Sequence, residues 1–211
     1  MFVAFVIVVA WGYLLGSIPN GFLAGKACGV DLRKEGSGNI GATNALRTLG
    51  KPVGYAVFAA DFLKGFAAVL SATLLCRKYG VADSMSTVLL IVAAAAAVCG
   101  HIFPIWLGFK GGKGIATACG SIAGISLWVV LVFAVVWVVV FYASRYVSLA
   151  SICASVSLPI TATVLAIVGQ ADWVLCVATF AFAGLAVWSH RSNISRLMAG
   201  TELRFEKKKK G

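Results

Sequence analysis

The chain has 211 residues, of which 61% are hydrophobic and only 12% are charged, with a mean hydropathy of +0.96. Soluble domains are on average about half apolar and about a quarter charged, so this composition excludes an ordinary soluble core and suits a lipid bilayer. The net charge of +11 is carried between the apolar runs and at the C-terminal end, as in loops that face an anionic leaflet. Nucleic-acid binding is excluded because no soluble domain carries a basic stripe.

Six apolar runs dominate the chain, and a helix needs about 20 such residues to cross about 30 Å of hydrocarbon. The runs lie at about 2–23, 53–75, 85–107, 115–143, 147–168 and 172–189. The first run lacks the basic segment that precedes the apolar core of a signal peptide, so we expect it to be a retained span.

The fourth run, of about 29 residues, decides the topology because it is long for one crossing and short for two. A single crossing gives six spans and puts the basic C-terminal residues outside when the basic loop at 26–51 is inside, against the positive-inside rule. Two crossings, with a break near Gly120–Gly124, put both inside and leave only Arg77 and Lys78 opposed. We therefore predict an all-α polytopic membrane protein with about seven transmembrane helices, one or two of them short, an outside N-terminus and a cytoplasmic C-terminus. Residues 1–211 would form one integral membrane domain, with a basic cytoplasmic tail at about 203–211.

Three polar segments then fall on the cytoplasmic side, and the first is 31–47. Its glycines allow a ligand to approach the backbone, and its arginine is a planar fork suited to phosphate. The candidate ligand-binding residues of this segment are Ser37, Gly38, Asn39, Gly41, Thr43, Asn44 and Arg47. An ordinary hydrophilic loop is the alternative. The spacing Gly36-x-Gly38-x-x-Gly41 also matches a dinucleotide fingerprint, which we reject because a charged loop precedes it instead of a strand.

The second segment, 100–117, contains Gly111-Gly112-Lys113-Gly114 just before a predicted helix. Backbone N–H groups at a helix N-terminus form an anion site, to which Lys113 adds a charge. The segment is not a Walker A loop, because Gly114 stands where Ser or Thr is needed. The alternative is a flexible re-entrant turn.

The third segment, 189–202, places His190 and Asn193 one helical turn apart on a single face. The flank of a last membrane span is the alternative. A smaller patch of Arg145 and Ser148 ends on the same side.

Two charges, Asp61 and Lys64, lie three residues apart inside a span. Charges within the membrane are costly and usually pair or line a cavity. We favour a structural ion pair over a role in the site. The six cysteines form no CxxC pair, which predicts neither a disulfide framework nor a zinc site.

Three strings occur in one order along the chain. They are Gly-Ser-Gly-Asn-Ile-Gly-Ala-Thr-Asn with Arg47, then Gly-His-Ile-Phe-Pro with Gly-Gly-Lys-Gly-Ile-Ala-Thr, then His190-Arg-x-Asn193 with Gly-Thr-Glu202. Together they resemble the bacterial acyl-phosphate-dependent glycerol-3-phosphate acyltransferases, from about residue 16 to residue 202. The resemblance implies a seven-helix inner-membrane enzyme without cofactor or metal. Its active site would face the cytoplasm and make lysophosphatidic acid, the first step of phospholipid synthesis.

The expected substrates are acyl phosphate and glycerol 3-phosphate, and the resemblance assigns residues to each. Acyl phosphate would be bound by Gly38, Asn39, Gly41, Thr43, Asn44, Gly111, Gly112, Lys113 and Gly114, with backbone N–H groups of the last glycines as donors. Glycerol 3-phosphate would be bound by Ser37, Arg47, Lys113, Ser148, His190 and Asn193. The expected catalytic set is Ser37, Arg47, Lys113, His190 and Asn193, and Lys64, His101, Arg145 and Glu202 are weaker candidates.

The source of the base is open at this point. Acyltransferases with thioester donors use a His-x4-Asp pair, but the corresponding positions after His101 and His190 are Trp106 and Ser195. We therefore expect the acyl phosphate itself to accept the proton, with His190 as the alternative base. A covalent route through Ser37 lacks a His-Asp relay in the sequence.

A transporter for a phosphorylated metabolite is the rival function, since broken spans with helix N-termini directed at anions also occur in transporters. Two features oppose it: the polar motifs cluster on one side, and the two halves of the chain show no repeat. A pure binding scaffold is weaker still, because it does not need so many converging small polar residues.

Overall fold

The computed structural model describes residues 2–205, and within that range the chain forms ten α-helices, one short 3-10 helix and no strand. The helices are α1 Phe2–Ser17, α2 Asn20–Ala27, α3 Ala42–Leu49, α4 Lys51–Lys78, α5 Asp83–Ile102, α6 Ile115–Ala123, α7 Leu127–Ser144, α8 Val147–Ile167, α9 Trp173–Ser189 and α10 Arg191–Met198, with the 3-10 helix at Ile105–Leu107. Most of the predicted basic tail lies outside the described residues.

Five helical stretches are long and apolar enough to cross a membrane. They are Phe2–Ala27, Lys51–Lys78, Met85–Leu107, Leu127–Ser144 and Val147–Ile167. The pair α9 and α10 passes the same test together but is bent by 57°, which makes six if the pair is one span. The prediction of an all-α polytopic membrane protein is therefore confirmed, while seven spans and their orientation stay predictions.

The ambiguous fourth apolar run is divided in the structure. Helix α6 ends at Ala123, and α7 begins at Leu127. With nine residues and about 1.5 Å of rise per residue, α6 is far too short to cross the membrane alone. It packs instead along α4, where Cβ atoms added at Gly65 and Gly120 would overlap the carbonyl groups of Thr117 and Phe62. Small residues thus let these two backbones approach closely.

The first span is broken between α1 and α2. Pro19 has no N–H group to continue the helical hydrogen bonds, and the carbonyl of Ile18 accepts a hydrogen bond from Lys64 Nζ at 2.8 Å. Helix α1 also packs closely against α5, because a Cβ on Gly16 would overlap the backbone at Ala97.

The residues divide into two compact units, Met1–Leu127 and Trp128–Gly211. In the second unit α8 carries buried apolar residues every four positions, four of the five being alanine, and they form one face along the helix. These residues are Ala150, Ala154, Leu158, Ala162 and Ala166. Each unit carries its own buried polar side chains, among them Asp61 and Lys64 in the first and Ser148 and Asn193 in the second.

Candidate active site

The segment before α3 is a compact loop tied together by one buried amide. Asn44 is 1% exposed; its Oδ1 accepts a hydrogen bond from Ser37 N at 2.8 Å, and its Nδ2 donates to Leu32 O at 3.1 Å and to Glu35 O at 2.9 Å. These three bonds use both amide hydrogens and one oxygen lone pair. The amide of Asn44 therefore holds the loop, and its role in acyl-phosphate binding stays a prediction.

Two neighbouring residues serve the same turn. Asn39 Oδ1 accepts a hydrogen bond from Gly41 N at 2.8 Å. Gly36 has a φ of 57°, and a Cβ there would overlap Asn44 Oδ1. Glycine is thus required at position 36 for both reasons. The loop leaves the side chain of Ser37 exposed.

Helix α3 places Thr43 and Arg47 four residues apart, on one face. Both side chains are half-buried. A hydroxyl donor and a guanidinium one turn apart are a suitable pair for phosphate oxygens.

The lysine loop, residues 108–114, follows α5 and leads into α6. Gly111 N donates to Ile102 O at 3.0 Å, and Gly112 N donates to His101 O at 3.1 Å. In the structure these two N–H groups bond to the end of α5, and the role of Gly111 and Gly112 in acyl-phosphate binding stays a prediction. The remaining source of backbone donors is the first turn of α6, whose N–H groups have no partner within the helix. The half-buried Lys113 lies directly before that turn.

A buried polar network lies beneath the lysine loop. Lys64 Nζ is 2.8 Å from Asp61 Oδ1, so the predicted structural ion pair is confirmed. Asn20 Nδ2 donates to the same oxygen at 3.0 Å. His101 Nδ1 lies 3.5 Å from Asp61 Oδ1 and 3.1 Å from Thr117 Oγ1. Neither Asn20 nor Thr117 was among the predicted site residues.

The polar cluster of the second unit is organised by Glu202. Its Oε1 accepts hydrogen bonds from Ser148 Oγ at 2.8 Å and from Asn193 Nδ2 at 2.6 Å, and its Oε2 accepts from Arg196 Nε at 2.7 Å. Partial burial raises the pKa of the Glu202 carboxyl, but the bonds from Asn193, Ser148 and Arg196 outweigh it and hold the pKa below its usual range. Glu202 is therefore a carboxylate at neutral pH. Arg196 was not among the predicted site residues.

His190 lies at the bend between α9 and α10 and is 3% exposed. Its Nδ1 is 2.7 Å from the carbonyl oxygen of Ala186. A carbonyl only accepts, so this contact places a proton on Nδ1, and in the neutral ring Nε2 is then an acceptor. When the ring is neutral, it is therefore in the tautomer whose Nε2 accepts a hydrogen bond.

Arg145 has a different environment from the Glu202 cluster. It lies between α7 and α8 with a φ of 65°, and its guanidinium lies over the Tyr142 ring, 5.3 Å from the centroid. Its backbone carbonyl accepts a hydrogen bond from Phe205 N at 3.0 Å. These contacts hold Arg145 in the connection between α7 and α8.

Comparisons with known proteins agree on one family. The family model for glycerol-3-phosphate acyltransferase matches residues 6–200. Curated relatives of that name include the protein of Aquifex aeolicus, 45% identical over 197 residues that cover 93% of this chain and 97% of the relative. The protein of a Synechococcus species is 43% identical over 212 residues that cover 100% of both chains.

Solved structures give the same result. The chain is similar to crystal structures of PlsY, an integral membrane glycerol 3-phosphate acyltransferase. The match to its glycerol 3-phosphate form has a TM-score of 0.84 with 42% identity and covers 96% of each chain. The match to its lysophosphatidic acid form has a TM-score of 0.82 with 41% identity and covers 96% of this chain and 95% of the other. The chain is therefore an integral membrane protein that belongs to the glycerol-3-phosphate acyltransferase family.

Proposed function

We propose that the protein transfers a fatty acyl group from an acyl phosphate to the 1-hydroxyl of glycerol 3-phosphate. The products are lysophosphatidic acid and inorganic phosphate, for phospholipid synthesis at the cytoplasmic face of the bacterial inner membrane. Family membership over residues 6–200 carries the proposal. The solved relative, with its glycerol 3-phosphate and lysophosphatidic acid forms, supports this choice of acceptor and product.

The acyl phosphate is assigned to the first unit. Lys113 and the first turn of α6 would neutralise the phosphate and the oxygen that becomes negative as the carbonyl is attacked. Thr43 and Arg47 would add a hydroxyl and a guanidinium from α3. Gly38, Asn39 and Gly41 would shape the loop that carries Ser37, and Gly111, Gly112 and Gly114 would shape the lysine loop.

The proposed assignment of glycerol 3-phosphate to Ser148 and Asn193 comes from the resemblance, and their bonds to Glu202 support it. The single hydroxyl hydrogen of Ser148 is directed at a carboxylate that can only accept. Ser148 Oγ can therefore only accept from a ligand, which suits a glycerol hydroxyl and not a phosphate oxygen. We place the glycerol end of the substrate at Ser148.

The chemical step needs one proton transfer. The 1-hydroxyl oxygen forms the new ester bond to the acyl carbon, the bond from that carbon to the phosphate oxygen breaks, and the hydroxyl proton goes to the departing phosphate. His190 Nε2 would orient the hydroxyl by accepting its hydrogen bond. In His190→Gln we expect reduced but measurable turnover. A complete loss of turnover with intact binding of both substrates would instead make His190 the base.

The test is phosphate release by purified protein in detergent with glycerol 3-phosphate and either palmitoyl phosphate or palmitoyl-CoA as donor. We expect turnover that requires palmitoyl phosphate and falls at least about 100-fold in Lys113→Ala, because about 2.7 kcal/mol or more of transition-state charge stabilisation is lost. Lys110→Ala is the matched control, since Lys110 is an exposed lysine of the same loop. Turnover only with palmitoyl-CoA would refute the proposal that acyl phosphate is the donor. No turnover with either donor from folded protein would refute the proposed acyltransferase activity.

A further inference from the structure

A short segment of the second unit, residues 202–205, is bonded to the connection between α7 and α8, and we call it the C-terminal strap. Phe205 N donates a hydrogen bond to Arg145 O at 3.0 Å. Arg204 Nε donates to Ser144 O at 3.2 Å. Ser144 is the last residue of α7, where a carbonyl group has no partner within the helix. The strap therefore satisfies two successive backbone carbonyl groups at the end of α7.

Two aromatic contacts fasten the same strap. The rings of Phe205 and Phe141 meet edge-on, with their centroids 6.0 Å apart, which is an arrangement that aromatic pairs prefer. The guanidinium of Arg204 lies over the Tyr146 ring, 5.6 Å from the centroid. Phe141 precedes the connection and Tyr146 lies within it, so the strap is attached on both sides of Arg145.

The connection that the strap holds has a strained backbone. Arg145 has a φ of 65°, a left-handed conformation in which the Cβ of a residue other than glycine crowds the following carbonyl group. Such a conformation persists where the surrounding structure determines it. Helix α8 begins at Val147, and Ser148 is its second residue. The contacts of the strap therefore fix the backbone from which Ser148 projects.

The first residue of the strap meets Ser148 from the other side. Glu202 Oε1 accepts the hydrogen bonds from Ser148 Oγ at 2.8 Å and from Asn193 Nδ2 at 2.6 Å. The strap thus holds the Ser148 hydroxyl directly through Glu202 and holds the backbone before Ser148 through Arg204 and Phe205. Loosening either end would change where the hydroxyl lies.

We propose that Arg204 and Phe205 are positioning residues that set the place of Ser148 and Glu202 for glycerol 3-phosphate. They act through the backbone of the connection and do not touch the substrate. This inference rests on the proposed function and deepens its acceptor site. Loss of either anchor should therefore raise the KM for glycerol 3-phosphate and leave the KM for palmitoyl phosphate almost unchanged.

The test measures both KM values in the phosphate-release assay. We expect the KM for glycerol 3-phosphate to rise about 3- to 10-fold in Phe205→Ala and in Arg204→Ala, which remove an aromatic pair and a hydrogen bond. Phe205→Tyr keeps the ring and should retain the wild-type KM. Leu203→Ala is the matched control, because Leu203 is an exposed apolar residue of the same strap, and it should stay within about twofold of the wild type.

A double-variant cycle with Ser148→Ala separates positioning from general damage. When the Ser148 hydroxyl is already absent, Phe205→Ala should raise the KM for glycerol 3-phosphate less than about twofold further. If Ser148→Ala is too slow for kinetics, equilibrium binding of glycerol 3-phosphate without donor measures the same coupling. Effects that multiply in the double variant would overturn the proposal, as would an equal loss in Leu203→Ala or in Phe205→Tyr.

Hydrogen–deuterium exchange in detergent gives a readout without turnover. We expect faster exchange in peptides that cover residues 144–149 in Phe205→Ala and Arg204→Ala than in the wild type, and wild-type exchange in Leu203→Ala. A wild type that makes no product would refute the proposed function. An active wild type, with exchange or the KM for glycerol 3-phosphate unchanged in both strap variants, would refute only the positioning role.

Discussion

Replacing Glu202 by Gln tests how the second polar cluster binds its substrate. The two side chains have the same shape, but the amide has one acceptor atom and one donor atom where the carboxylate has two acceptors. Ser148 Oγ and Asn193 Nδ2 both donate to one oxygen of Glu202, at 2.8 and 2.6 Å, while Arg196 uses the other at 2.7 Å. In Glu202→Gln, one side of this arrangement must face an NH2 group.

The magnitude follows from these three bonds. Hydrogen bonds to a charged group contribute about 1.5–3 kcal/mol and neutral ones about 0.5–1.5 kcal/mol. Weakening the bonds to both Ser148 and Asn193 therefore costs about 2 kcal/mol in the energy that holds them in place. Since about 1.4 kcal/mol corresponds to a factor of ten, we expect the KM for glycerol 3-phosphate to rise between about 10- and 100-fold.

The assay is steady-state kinetics with each substrate varied in turn. The KM for palmitoyl phosphate should change less than about twofold, because the carboxylate holds no group that we assign to the donor. Asp83→Asn is the control, since it removes one exposed carboxylate at the start of α5. An unchanged KM for glycerol 3-phosphate, or a rise confined to palmitoyl phosphate, would refute this assignment.

Three further predictions concern the supports of the two clusters. Gly36→Ala should abolish most activity, because the new Cβ overlaps the Asn44 amide that ties the loop. Gly29→Ala is the control: Gly29 has a φ of 72° and open space around it, so the variant should cost only about 1 kcal/mol of backbone strain. Similar thermal melts and activities for the two variants would contradict this prediction. Lys64→Met removes the lysine that pairs with the buried Asp61 carboxylate, which keeps its contacts with Asn20 and His101, and should lower the free energy of unfolding by about 3–5 kcal/mol. Adding Asp61→Asn should restore part of this loss in the same melts. The pKa of Glu202 is lower in the folded protein, so its contribution to stability is complete above the ordinary glutamate pKa and is lost as the pH falls through the lower folded value. The difference in Tm between the wild type and Glu202→Gln should therefore be constant near neutral pH and shrink in acid, and a difference that grows in acid would contradict the sign.

Much of this fold could be predicted because the bilayer restricts the choices. Long apolar runs have to be helices, since every backbone polar group in lipid needs a partner within the protein. The break in the run at 115–143 was predicted near Gly120–Gly124 from the distribution of basic residues, since the length alone is ambiguous, and the structure places it between Ala123 and Leu127. The orientation of the loops was predicted from the positive-inside rule, which depends on the two sides of a membrane. It therefore stays a prediction.

The contacts among the candidate site residues could not be predicted, because sequence motifs do not say which polar groups hold one another. Asn44 is a polar residue within a motif and was therefore predicted to bind a ligand, yet the three side-chain hydrogen bonds described above join it to backbone groups of its own loop. The N–H groups of Gly111 and Gly112 likewise donate hydrogen bonds to the carbonyl groups of Ile102 and His101 at the end of α5. The buried His101 contacts depend on residues 16 and 40 positions away, and no periodicity in the sequence connects them.

The most direct test of the account follows one atom from substrate to product. Purified protein would receive palmitoyl phosphate and glycerol 3-phosphate with a heavy oxygen isotope in its 1-hydroxyl group, and the products would be analysed by mass spectrometry. Acyl transfer predicts that the label is retained entirely in the ester of lysophosphatidic acid and that the released phosphate is unlabelled. Glycerol bisphosphate with free palmitate would show phosphoryl transfer instead, and it would contradict the central claim.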